Sequence, residues 1–241
     1  MLEFGFKSDK GKVRDINQDA FFVMPEESIF LVADGVGGHN LGELASRMTV
    51  ADGATFVKAN PIPADADSDY FRDYFCELMF LVNDHVHEVG QEKALGSMAT
   101  TLVMLYLRDD DAYVVNIGDS RAYLIRDEDI MQVTDDHTFV NDLVKKGIIT
   151  KDEAVTHPKR NMITRAIGAA GDIKPDFFTF KTYPDDIIML CTDGLYGEVS
   201  DEDICSIILK NSHMRQACAE LVETANRNGG EDNITVVAVK L

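Results

Sequence analysis

The sequence predicts an α+β fold whose sheets are mostly antiparallel. Strand-like apolar runs lie at both ends of the chain, and helical stretches fall in two separate blocks. Turns between neighbouring runs, such as RDDD at 108–111, suit hairpins and are too short for parallel crossovers. With 241 residues, 45% hydrophobic and 27% charged, the chain can bury a substantial core as one domain over residues 1–241.

The first strands are expected at 2–6 (LEFGF), 20–23 (AFFV) and 28–33 (SIFLVA). A helix from about Gly42 to Val57 follows and is broken by NPIPADADS at 60–68. Phe71, Phe75, Leu78, Val82, Val86 and Val89 recur at steps of three and four, one apolar face of a second helix. Strands return at 101–107, 112–117 and 122–125. Residues 135–170 carry short helical pieces, a proline and much polarity, so they read as a mobile excursion over the surface. Strands at 176–181 and 186–191 precede helices at 200–210, opened by the S-x-x-D pattern of Ser200 and Asp203, and at 213–227. NITVVAVK closes the pattern as an apolar strand.

Charge and cysteine usage exclude several classes. Forty-two acids against 23 bases give a net charge of −19, which repels nucleic acid and anionic membranes. No apolar run approaches a membrane span, and residues 1–10 lack a signal-peptide pattern, so cytoplasmic action is expected. Cys76, Cys191, Cys205 and Cys218 are widely spaced, and Cys191 within IIMLC reads as a reduced core thiol.

Four aspartates share one context. Asp34 in LVADG, Asp119 in NIGDS, Asp193 in CTDG and Asp232 in GGEDNITVV each stand beside glycine-rich sequence at the end of an apolar strand. One Asp-Gly is an ordinary turn. Four such ends in one fold can gather at one sheet edge, where ionised carboxylates are tolerable only with cations between them. An all-oxygen set selects hard ions, magnesium or manganese rather than zinc. Gly35, without a side chain, leaves its carbonyl open to such an ion. A rival acidic loop, Asp65-Asp67-Asp69, fails as a calcium site, because Tyr70 and Cys76 stand where glycine and glutamate are needed.

Seven blocks in order, RDINQDA (14–20), ADGVGGH (33–39), TTLV (100–103), NIGDSRAY (116–123), TRAIG (164–168), CTDGLYG (191–197) and GGEDNIT (229–235), resemble the metal-dependent protein phosphatases (PPM, type 2C), in their bacterial serine/threonine branch. The resemblance implies a four-layer αββα sandwich with a metal cleft at one end. It implies hydrolysis of phosphoserine and phosphothreonine by a metal-activated water, with no covalent phosphoenzyme, using two Mn2+ or Mg2+ ions and a weaker third site. In that scheme Asp34 bridges two ions, Gly35 lends its carbonyl, Asp193 and Asp232 hold the other ion, and Asp119 with Asp193 holds the third. Arg14 grips the substrate phosphate, and Asp19 contacts the water shell of the ions. Phosphoprotein substrates, an opposing serine/threonine kinase and a monomeric state are implied too, and residues 135–170 correspond to the family's flap.

Two departures stand out. Val36 replaces a histidine that serves many eukaryotic relatives as a proposed general acid, and His39 is the nearest substitute. Gln18 stands where many relatives carry a glutamate, which leaves the second ion more water-coordinated. Two rival readings remain: a catalytically silent relative that binds phosphoproteins, opposed by the intact acids, and a receiver-like phospho-acceptor, opposed by the hairpin turns and the length.

Overall fold

The computed structural model describes residues 2–38, 40–92 and 98–241. His39, the substitute considered for the missing histidine, lies outside the described residues. Every strand pairing is antiparallel, as the short turns require. One sheet comprises β1 (Glu3–Asp9), β7 (Arg121–Arg126), β8 (Asp129–Gln132), β10 (Ile187–Cys191) and β11 (Ile234–Lys240), in the order β1-β11-β10-β7-β8. The other runs β2 (Asp19–Met24), β3 (Ile29–Val36), β5 (Leu102–Arg108), β6 (Asp111–Ile117) and β9 (Asp176–Lys181), with the short β4 (Ala99–Thr100) on β3.

The helices cover the two outer faces. Helices α1 (Leu41–Ala59) and α2 (Ser68–Glu92) pack on the second sheet, and α6 (Asp201–Lys210) and α7 (Met214–Asn228) on the first. The central strands alternate between slabs, which is the period-two rule of a pleated strand. Ile29, Leu31 and Ala33 of β3 join Leu78 of α2, whereas Phe30 and Val32 face the other sheet beside Leu190 and Val237. Met189 and Val236 turn outward to Ile208 and Leu221. Both faces of these strands are therefore apolar. That is why they read as continuous hydrophobic runs although the sheets are antiparallel.

The remaining helices are short: α3 (Phe139–Lys145), α4 (Lys151–Val155) and α5 (Asp193–Tyr196). Residues 135–170, the expected excursion, are tied to the body of the fold at their base. His137 N donates to Gly118 O at 2.9 Å, Thr164 N to His137 O at 2.8 Å, and Ile167 bridges Thr100. Buried Val140 and Ile167 supply apolar anchorage that a sparse pattern conceals. The proposed cap is real, with Ser200 accepting from Asp203 N, and all four cysteines are free. Among the described residues no helix is long and apolar enough to cross a membrane.

Candidate metal centre

The strand ends named from sequence meet at one edge of the sandwich. The sequence places Asp34 in a loop after a strand ending at Ala33, but β3 continues through Asp34 and Gly35 to Val36. The reason is pairing on both sides: Asp34 lies opposite Asp19 of β2, and Gly35 opposite Thr100 of β4. A Cβ on Gly35 would overlap the carbonyls of Gly42 and Gln18, so the glycine is also demanded by the close approach of α1. In the other sheet Cys191 lies opposite both Val236 and Arg121, which brings the β10 end, the β11 start and the β7 start together. Asp193, Asp232 and Asp119 stand within two residues of those ends.

Electrostatics register the crowding. Asp19 and Asp119 are buried, whereas Asp34, Asp193 and Asp232 are half-buried. Desolvation, then the charges of Asp19, Asp193 and Asp119, push the Asp34 carboxyl well above the usual carboxylate range. Burial raises Asp19 to about 7, against the hydroxyls of Thr235 and Thr192 that favour its charge. Burial followed by the Asp193 charge raises Asp119 to about 7, and burial followed by the Asp232 charge raises Asp193 to about 6.

A surrounding layer of polar side chains fixes these acids. Asp19 Oδ2 accepts from Thr235 Oγ1 at 2.7 Å and Thr192 Oγ1 at 2.9 Å. Thr101 Oγ1 accepts from Asp34 N at 2.9 Å, and Thr100 Oγ1 donates to Asp34 O at 2.8 Å. Asn233 accepts from Gln18 N at 2.7 Å and donates to the carbonyls of Lys10 and Ile16, tying the loop before β2 to the start of β11. Gly118, at φ 108°, makes the turn ahead of Asp119, and Tyr196 Oη donates to Asp119 O at 2.9 Å. Sequence reasoning missed this layer. Its members stand inside the TTLV, CTDG and DNIT blocks, but a lone hydroxyl or amide carries no pattern of its own.

Arg14 is exposed on the rim, its Nη2 donating to Asp232 Oδ2 at 2.6 Å. Gln18 turns its amide to the Gly37 carbonyl at 3.5 Å. Val36 is 42% exposed beside the cluster. Asp67, in the loop rejected as a calcium site, accepts from Tyr70 N at the start of α2 and so acts as a helix-capping group.

The donors fit a hard divalent cation. Asp19 Oδ1 and Asp193 Oδ1 are buried without a hydrogen-bond partner, an arrangement that costs free energy unless a positive charge accepts them. Among the described residues no three Asp, Glu, His or Cys side chains already stand in closed ligand geometry. Backbone carbonyls and water would thus complete any coordination, as magnesium and manganese permit.

Residues 11–236 match the family described as Protein phosphatase 2C. The chain is 36% identical over 244 residues to protein phosphatase PhpP of Streptococcus pneumoniae, covering 100% of this chain and 98% of the relative. The serine/threonine phosphatase structure from S. agalactiae superposes with a TM-score of 0.93 at 31% identity, covering 100% of both chains. The catalytic domain of serine threonine protein phosphatase PstP, solved in complex with two manganese ions, superposes with a TM-score of 0.83 at 33% identity, covering 99% of this chain and 97% of that one. By its sequence match and its superposition on solved relatives, this chain belongs to the protein phosphatase 2C family, in its bacterial serine/threonine branch.

Proposed function

We propose that this phosphatase hydrolyses phosphoserine and phosphothreonine in proteins by direct attack of water, with divalent ions held by Asp34, the Gly35 carbonyl, Asp193 and Asp232. A third, weaker ion would fall to Asp119 together with Asp193. One observation carries the reading: the Asp34 carboxyl lies close enough to Asp19, Asp193, Asp119 and Asp232 to be pushed up by their charges, and a buried oxygen each of Asp19 and Asp193 lacks any partner. Bound manganese or magnesium would activate a water molecule and neutralise phosphoryl oxygens during in-line displacement.

The chain's own residues do the rest. Arg14 presents a planar fork to two phosphate oxygens and orients the substrate above the acids. Asp19, with one oxygen fixed by Thr192 and Thr235, keeps its other oxygen free to accept a hydrogen bond from water. Val36 supplies no proton, so protonation of the leaving serine or threonine oxygen falls to water at the site. Residues 1–241 act as one PPM-type domain, with 135–170 as a flap that shapes substrate choice; strands from both ends of the chain pair within one sheet, which supports that unity. We further propose a cytoplasmic monomer that opposes a serine/threonine kinase of the same cell; a relative named serine/threonine phosphatase supports the residue class on which the two enzymes would meet.

The test is phosphate release from a phosphothreonine peptide and from a chromogenic phosphate ester, with manganese, with magnesium and with chelator. Activity that survives thorough chelation overturns the proposal. Arg14→Ala should raise KM for the peptide about tenfold or more, the worth of one charge-assisted contact to phosphate, and leave calorimetric metal binding intact. Unchanged KM and kcat would remove Arg14 from the site.

A further inference from the structure

A groove of about 710 Å3 opens beside the acids, between the end of α2 and the base of residues 135–170. Its floor continues the strand that carries Asp34 and Gly35: Val36 lies in it, opposite Ala99 of β4. Met98, Ile163, Ala166, Ala169 and Ala170 make most of the lining small and apolar, and Gln91 and Thr164 add uncharged polar groups.

The charge pattern sets this groove apart. The chain carries −19, yet among the described residues lining the groove there is no aspartate or glutamate. The permanent cation among those described residues, Arg165, is matched by Asp176 at 2.9 Å and by the Lys174 carbonyl at 3.0 Å. His87 is turned to the Gly168 carbonyl at 3.1 Å, so its ring is engaged with the wall. A trough with no unmatched permanent charge among its described lining residues therefore begins at Val36, two residues beyond Asp34 on the same strand. A charged side chain entering it would lose water without gaining a counter-charge, whereas an apolar one would gain by burial.

We propose that this groove binds the uncharged, apolar residues that flank the phosphoserine or phosphothreonine of the protein substrate. The inference rests on the phosphatase reading above and adds the chemistry of the flanking segment. The groove's size is that of a ligand site for several atoms-wide side chains rather than one methyl group. Its continuity with β3 lets one peptide reach the acids and the groove together. Val36, an apolar residue at the junction, belongs to the same surface.

The experiment compares three phosphothreonine peptides, with leucine, aspartate or lysine on both sides, and a chromogenic phosphate ester, in the manganese-loaded enzyme. The leucine peptide should exceed the aspartate and lysine peptides roughly tenfold in kcat/KM, the discrimination typical of an apolar pocket. Ala170→Trp, which fills the groove from an exposed position, should lower kcat/KM for the leucine peptide by a similar factor and leave ester turnover within twofold. Gln91→Glu, on the opposite wall, should shift the ranking toward the lysine peptide without touching the ester. Equal use of all three peptides by the unaltered enzyme overturns the inference, as does Ala170→Trp lowering peptide and ester alike. Loss of the phosphatase reading would look different, because then neither peptide nor ester is turned over.

Discussion

Asp34→Ala should lower phosphopeptide turnover by about 1,000-fold or more, equivalent to ~4 kcal/mol of transition-state stabilisation, while the chain stays folded. Asp34 carries the most crowded carboxyl of the cluster, facing Asp19, Asp193, Asp119 and Asp232. As the acid proposed to bridge two ions, it cannot be replaced by a neighbour without loss of at least one of them. Its backbone is independent of the side chain: Asp34 N and O are held by Thr101 and Thr100, so alanine keeps the strand. The metal-free variant should even gain stability, since one buried like charge has gone. Calorimetry should count fewer manganese ions in Asp34→Ala than in the unaltered enzyme. Asp119→Ala is the control, in which the tight ions remain and only the weakest is lost, with a smaller fall in turnover. Full ion count and full turnover in Asp34→Ala would remove Asp34 from the centre.

Without metal, stability should fall as pH rises, opposite to the usual carboxylate trend. The folded carboxyls of Asp19 and Asp119 sit at about 7 and that of Asp193 at about 6, above the value of 3.8 from which they are raised. A raised folded pKa means that the native state holds more protons than the unfolded chain between pH 4 and 7. That contribution is complete below the unfolded pKa and is lost as pH climbs through the folded values. Buried His137, its pKa lowered by desolvation, works in the opposite sense over the same range, one group against several. The net cost should reach several kcal/mol, or ~10 °C in melting temperature for a chain of this size. Thermal melts in chelator at pH 5 and pH 8 measure it. Millimolar manganese should abolish the difference by replacing protons with divalent charge. A chelated protein equally stable at both pH values would show that these acids do not repel.

Much of this centre was legible because acids at strand ends leave a local trace. Asp34, Asp119 and Asp193 each stood next to glycine at the limit of an apolar run, Asp232 stood two residues after the Gly229-Gly230 pair, and the fold brings those limits to one edge. The extent of β3 was not legible. A glycine after an aspartate signals a turn locally, and only β2 and β4, distant in sequence, keep Asp34 to Val36 extended. Strand β8 escaped notice because exposed Met131 and the polar residues around it form no hydrophobic run. The fixing roles of Thr192, Thr235 and Asn233 depend on partners more than 40 residues away, with separations such as 173 and 216 for the two hydroxyls on Asp19. Such roles exist only in three dimensions.

Strand β11 lies between β1 and β10, and this has a consequence for synthesis on the ribosome. Residues 3–9 leave the exit tunnel early and must wait for residues 234–240 before gaining a paired strand. Asp19 likewise waits for Thr235, and Gln18 for Asn233. Without this strand the acidic edge lacks the β11 start beside Asp232 and the Thr235 hydroxyl on Asp19, and pairing across such a separation closes slowly. The phosphatase is thereby silent until residues 234–240 have emerged, and a chain broken off before residue 231 would release no enzyme acting on the cell's phosphoproteins out of turn.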